Sequence, residues 1–113
     1  MFDQIIEVAF FSGILFLICG FIFFKFPPKK INSFYGYRTP RSMKSQERWD
    51  FAQDYAAKEM MNLGFFLGLM SFMGKFFEMD ANTRLWVGIA MMIFTAIVLL
   101  LRVEKAINEK FRD

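Results

Sequence analysis

The chain has 113 residues, 56% of them hydrophobic and seventeen of them phenylalanine, with 14 Lys and Arg against 11 Asp and Glu for a formal net charge of +3. A globule this small has too little polar surface to cover so much hydrocarbon, which excludes an ordinary water-soluble domain. Histidine is absent and Cys19 is the one cysteine, which excludes disulfide scaffolds and His/Cys metal sites within one chain and leaves Cys19 as a small buried hydrophobe.

Residues 5–24 carry a single charge, Glu7, and at helical rise they reach roughly 30 Å, the hydrocarbon thickness of a bilayer. The leader contains Asp3 and the run ends in FFKFPPKK, so this first span is expected to stay attached as an anchor rather than be cleaved as a signal peptide. Pro27 and Pro28 stop the helix, because neither donates a backbone hydrogen bond and each biases its predecessor away from helix. Residues 29–43 then read as ordered turn, with Asn32, Ser33 and Gly36 as turn formers and Thr39 extended before Pro40.

Ser45 is a good N-cap. Beyond it Trp49, Ala52, Tyr55, Ala56 and Met60 recur at helical spacing, which gives an amphipathic helix. Its stripe is expected to lie in the membrane interface, with Trp49 and Tyr55 at headgroup level, and to run on into the second span. The alternative is a solvated helix packed only on its own loop. The second span, residues 60–77, is uncharged until Lys75, and the third, residues 85–101, is uncharged between Arg84 and Arg102. Lys75 reaches the interface by snorkelling. The tail, residues 102–113, reads as a solvated helical extension with Glu104–Asn108 and Lys105–Glu109 pairs at i,i+4. The expected fold is therefore all-α: one integral membrane domain over residues 1–113, a three-helix bundle with a cytoplasmic loop and amphipathic helix, residues 25–59, between spans 1 and 2.

Twelve Lys and Arg fall in the 25–59 segment and the tail, against Lys75 and Arg84 on the other side. The positive-inside rule then places the N-terminus outside and the loop and C-terminus in the cytoplasm. Such a face suits anionic lipid headgroups, and no nucleic-acid fold is available. Glu7 and Lys75 fall at similar depth, so an interhelical ion pair is expected, against independent snorkelling. Gly64, Gly68 and Ser71 on one helix and Ala9, Gly13 and Gly20 on another make small-residue faces for close packing of spans 1 and 2, with a homo-oligomer seam as the alternative. Neither an ionisable group in mid-span, a glycine-rich phosphate loop nor a nucleophile–base set is present, so the expectation is a non-enzymatic protein without cofactor or metal.

Within the loop, Gly36 permits a positive φ, Arg38 offers a planar fork of donors, Thr39 adds a hydroxyl and Pro40 stiffens the turn. Together they suit an anion-recognising knuckle. The competing reading has Arg38 pairing internally with Asp50 or Asp54.

The run Asn32-Ser-Phe-Tyr-Gly36-Tyr-Arg38-Thr39-Pro40, followed by Trp49 and an Ala-Ala-Lys58 lead into an apolar helix, resembles the hallmark of the SdpI family of bacterial membrane proteins over residues 20–75. This chain looks like a short, three-span form; Arg41 stands where relatives often have an aromatic, and Gln46 where they often have an acid. The resemblance implies a multi-pass protein of the bacterial inner (plasma) membrane, with immunity to a membrane-active toxin peptide or membrane sequestration of a soluble regulator as its role. Candidate ligand- or headgroup-binding residues are Asn32, Gly36, Arg38, Thr39, Pro40, Arg41 and Trp49. An oligomeric small transporter or lipid-headgroup-handling subunit is the alternative, and an enzyme acting on headgroups is disfavoured.

Overall fold

The computed structural model describes residues 5–111. Three α-helices follow one another, α1 (Glu7–Lys25), α2 (Gln46–Met70) and α3 (Ala81–Lys110), with a short 3-10 segment (Ser71–Lys75) closing α2, and there is no strand among the described residues. The bundle has a loop end, where residues 26–45 sit, and an opposite turn end built from residues 71–80. Its long dimension is 49 Å.

Local chemistry sets the boundaries. Glu7 in the first turn of α1 and Lys25 in the last both suit the helix dipole, and α1 stops one residue before Pro27. The Ser45 hydroxyl accepts from the Arg48 N–H at 3.1 Å, capping α2 as expected. Asp80 caps α3 in the same way, through the Thr83 N–H at 2.7 Å, and its carboxyl is held below the usual range, first by the Thr83 side chain and then by that N–H.

The amphipathic segment runs on into the second span as expected, one unbroken helix of 25 residues, about 37 Å long, but that helix ends at Met70 and gives way to the 3-10 segment, short of the expected residue 77. The C-terminal extension is not a solvated end: α3 continues for 30 residues to Lys110, and Val103 and Ile107 are fully buried against Ala52 and Ala56 of α2. Ala52 and Ala56 of the amphipathic stripe of α2 thus pack on α3 inside the protein. The two helices long and apolar enough to cross a membrane are α1 and α3, and only 22% and 17% of their most apolar windows are buried inside the protein. Helices of a soluble core would be covered far more.

α1 and α2 touch where the expected small residues meet. A Cβ on Gly13 would lie 2.7 Å from the Gly64 carbonyl oxygen, and one on Gly20 would lie 2.9 Å from that of Ala57. Backbones approach this closely only where side chains are absent. α3 joins α1 at the turn end, where Gly88 leaves room for Val8 and Ile6. Between its two contact zones, α3 leaves an apolar groove against α2 of about 250 Å³, lined by Leu63, Phe66, Leu67, Met70, Met91, Phe94, Thr95 and Val98.

The expected Glu7–Lys75 pair is not formed among the described residues. Lys75 lies over the Phe72 ring at 5.5 Å, while Glu7 shares a cleft with Arg84. The 3-10 segment is the reason: each residue turns about 120° instead of about 100°, so five residues swing Lys75 well away from its α-helical direction.

Candidate functional site

The loop between α1 and α2 is held by three side chains on one face of α2. Gln46 donates through Nε2 to the Lys29 carbonyl at 2.6 Å, Trp49 donates through Nε1 to the Pro28 carbonyl at 2.7 Å, and Gln53 makes a reciprocal pair with Tyr37. In that pair the Tyr37 N–H donates to Oε1 and Gln53 Nε2 donates to the Tyr37 carbonyl, both at 2.7 Å. Positions i, i+3 and i+7 share a helix face, so one stripe grips both halves of the loop.

Asn32 builds the first bend. Its Oδ1 accepts from the Phe34 and Tyr35 N–H groups at 2.9 and 2.7 Å, and its Nδ2 donates to the Lys30 carbonyl at 2.9 Å, a side chain imitating a backbone turn. Gly36 follows with φ of +105°. A Cβ there would collide with Gln53 Oε1 and Pro28 Cγ, each at 2.5 Å, so both conformation and space demand glycine.

The second bend carries the hallmark residues. The Thr39 N–H donates to the buried Ser42 hydroxyl at 2.9 Å, the Met43 N–H closes a helical turn onto the Thr39 carbonyl at 3.0 Å, and exposed Pro40 stands between them. Glu104 of α3 gathers this bend. Its carboxylate accepts from the Tyr37 hydroxyl at 2.8 Å and the Thr39 hydroxyl at 2.9 Å, with the Arg41 guanidinium 3.8 Å away. Burial first, then the hydrogen bond to Glu104, pushes the Tyr37 phenol well above its ordinary pKa. One turn lower, Glu59 and Arg102 form a two-pronged ion pair at 2.9 and 3.1 Å, the acid side chain only 11% exposed.

The proposed knuckle is therefore divided. Thr39 and Arg41 turn toward Glu104, Arg41 from an exposed position, whereas Arg38 donates through Nη1 to the Ser33 carbonyl at 2.5 Å and is exposed. The internal partners expected for Arg38 are engaged elsewhere: Asp50 accepts from Gln46 at 2.8 Å, and Asp54 pairs with Lys58 at 2.9 Å. Trp49 does not present its ring to the surroundings; it is 0% exposed, sealed beneath the loop. An indole has one donor and a large apolar body, and the Pro28 carbonyl supplies the partner that water would otherwise give.

The sequence reading missed Tyr37, Ser42, Gln53, Glu59, Arg102 and Glu104. Gln53 and Glu59 did leave a trace: they fall on the apolar stripe of α2, where an uncapped polar side chain is costly. Beside the loop, a cleft of about 380 Å³ opens between Phe23, Phe24, Pro27, Pro28, Lys29, Gln46, Asp50, Gln53 and Asp54. At its foot Lys25 lies over Phe21 and Lys58 over Phe24, each at 5.9 Å. No cluster of three or more His, Cys, Asp or Glu suited to a metal occurs among the described residues.

Two helices long and apolar enough to cross a membrane, with largely uncovered faces, and a polar loop fastened back upon them suit a helical protein of membrane type. The chain belongs to the SdpI/YfhL protein family, whose model matches residues 29–103; that segment takes in the loop from Lys29 on, α2 and α3 as far as Val103, further toward the C-terminus than the resemblance over residues 20–75 reached. The chain is similar to the uncharacterized protein YfhL of Bacillus subtilis (strain 168), 49% identical over 53 residues, 47% of this chain and 48% of that protein. The match thus spans about half the length of this relative. No solved structure is found to be similar.

Proposed function

We propose that this chain is a non-enzymatic, multi-pass protein of the bacterial inner membrane, with its N-terminus outside and its loop and C-terminus in the cytoplasm. Its role is binding or protection: immunity to a membrane-active toxin peptide, or sequestration of a soluble regulator at the membrane. The observation that carries this reading is the rigid loop platform. Gln46, Trp49 and Gln53 hold the loop backbone at Lys29, Pro28 and Tyr37 from one face of α2, and Glu104 of α3 holds the Tyr37 and Thr39 hydroxyls, so Arg38 and Pro40 are displayed on a surface organised for recognition. A recognition surface gains affinity from being preorganised in this way. The uneven distribution of Lys and Arg supports the orientation.

Expression in a sensitive bacterial host, followed by challenge with membrane-active peptides, tests the protective role. Protection that is lost with Arg38→Gln supports it, and unaltered sensitivity of the host overturns immunity. The apolar groove between α2 and α3 favours a second reading as a lipid-handling subunit, for which lipid flux in proteoliposomes is the decisive measurement.

A further inference from the structure

α1 has 19 residues, about 28 Å at helical rise, close to the hydrocarbon thickness of a bilayer. In a membrane Lys25 therefore stands at the hydrocarbon boundary, and whatever is tied to the next residue shares that depth. Tyr35 is tied there. Its hydroxyl donates to the Phe26 carbonyl at 2.6 Å, and its ring packs edge-on against Phe23 at 5.0 Å. The loop thus folds back to the bilayer surface, and Phe34 returns with it.

Phe34 is 93% exposed and Phe26 71%. Neither is a loose tip: the Asn32 turn holds the Phe34 N–H. Beside it, Arg38 makes its one hydrogen bond among the described residues to the Ser33 carbonyl, which leaves most of its donor fork facing outward. Lys29 and Lys30, both exposed, precede the turn. At this depth the medium is acyl chain on one side and phosphate on the other, which matches an uncovered phenyl ring next to an uncovered guanidinium.

Resting on the membrane-spanning reading above, we propose that Phe34 and Arg38 form a two-part anchor on the leaflet at the loop end, Phe34 inserted among the acyl chains and Arg38 bound to the phosphate of an anionic phospholipid. The site assigned to recognition is thereby seated on lipid, with the Thr39 hydroxyl turned back to Glu104.

Depth-dependent fluorescence quenching tests this. Phe34→Trp is made together with Trp86→Phe, leaving the sealed Trp49 as a constant background, and the protein is reconstituted in phosphatidylcholine vesicles with or without phosphatidylglycerol. Because Phe34 packs against nothing, the melting temperature should not move, and this is checked first. The introduced indole is expected to lose most of its emission to lipids brominated high in the acyl chain and little to aqueous iodide. Phosphatidylglycerol should strengthen the lipid quenching, and adding Arg38→Gln should abolish that gain. Free access of iodide with no quenching by brominated lipid overturns the anchor, and lipid quenching indifferent to phosphatidylglycerol and to Arg38 overturns its phosphate half. In the parent chain, Trp86 reports on the spanning itself. Lipid quenching of Trp86 without quenching at position 34 sinks the anchor alone, whereas no lipid quenching of either sinks the membrane reading with it.

Discussion

Glu104 touches three loop groups with one carboxylate, and its side chain is only 20% exposed. Removing it strands two hydroxyls and a guanidinium in a half-buried corner, and hydrogen bonds to charged groups are among the stronger ones. Glu104→Ala should therefore cost on the order of 2–3 kcal/mol. The checks are thermal unfolding in detergent and faster tryptic cleavage after Arg41; an unchanged melting point would mean that the carboxylate is solvated in the native protein. Tyr37 gives a pH dependence of known sign. Its folded-state pKa lies above the ordinary 10.0, so the fold favours the neutral phenol. That contribution is complete below pH 10.0 and declines as the pH rises through the folded value. Tyr37→Phe should flatten the alkaline limb of a stability-against-pH curve, and an unaltered limb would assign it to another group. The positive φ of Gly36 could be anticipated, since glycine beside Asn32 and Pro40 signals a tight bend. The burial of Trp49 could not, because an amphipathic ring carries the same signature whether its N–H meets a headgroup or a peptide carbonyl. The internal partner of Arg38 was not legible: Asp50 and Asp54 stood at plausible spacing, but Gln46 and Lys58 take them and Arg38 donates to the Ser33 carbonyl instead.

At the level of helices, the two glycines of α2 are not equivalent. A Cβ on Gly64 would press on the Gly13 carbonyl oxygen at 2.7 Å and on Phe16 Cβ at 2.8 Å, whereas one on Gly68 meets nothing within 4 Å. Gly64→Ala should destabilise by about 1–3 kcal/mol through enforced separation of α1 and α2. Gly68→Ala should be neutral or stabilising by up to about 1 kcal/mol from helix propensity. Melting temperatures of the two variants decide it, and equal losses would mean that a second copy packs on the Gly68 face. Helix starts and stops were legible because Ser45, Asp80 and the Pro27–Pro28 pair act through their nearest neighbours. The helical continuation of α3 was legible too, but its burial was not, because Val103 and Ile107 pack on Ala52 and Ala56, about fifty residues away in the chain, and no local pattern announces such a partner. The switch to 3-10 geometry at Ser71 was equally hidden, since it follows from the Ser71 carbonyl accepting the Ile6 N–H at 2.8 Å.

For the molecule as a whole, the charged end of α3 supports the loop platform although the loop precedes it by some sixty residues. Ending the chain after Leu101 removes Arg102, Val103, Glu104 and Ile107 together. The apolar spans should still insert, because they are held by the solvent around them and not by the extension. The platform should loosen, giving a red shift of Trp49 emission and tryptic cleavage within residues 29–48. A blue-shifted, protease-resistant product would show that α2 alone organises the loop.

Helix α2 has no break between Gln46 and Met70, and the Glu59–Arg102 pair fastens it near its midpoint to α3. Such a rod behaves as a lever with a pinned fulcrum. A tilt imposed on its loop-bearing arm must appear, reversed in direction, at the far arm where the Ser71 carbonyl holds the Ile6 N–H, so an event at the loop end of the bundle is felt mechanically at the turn end.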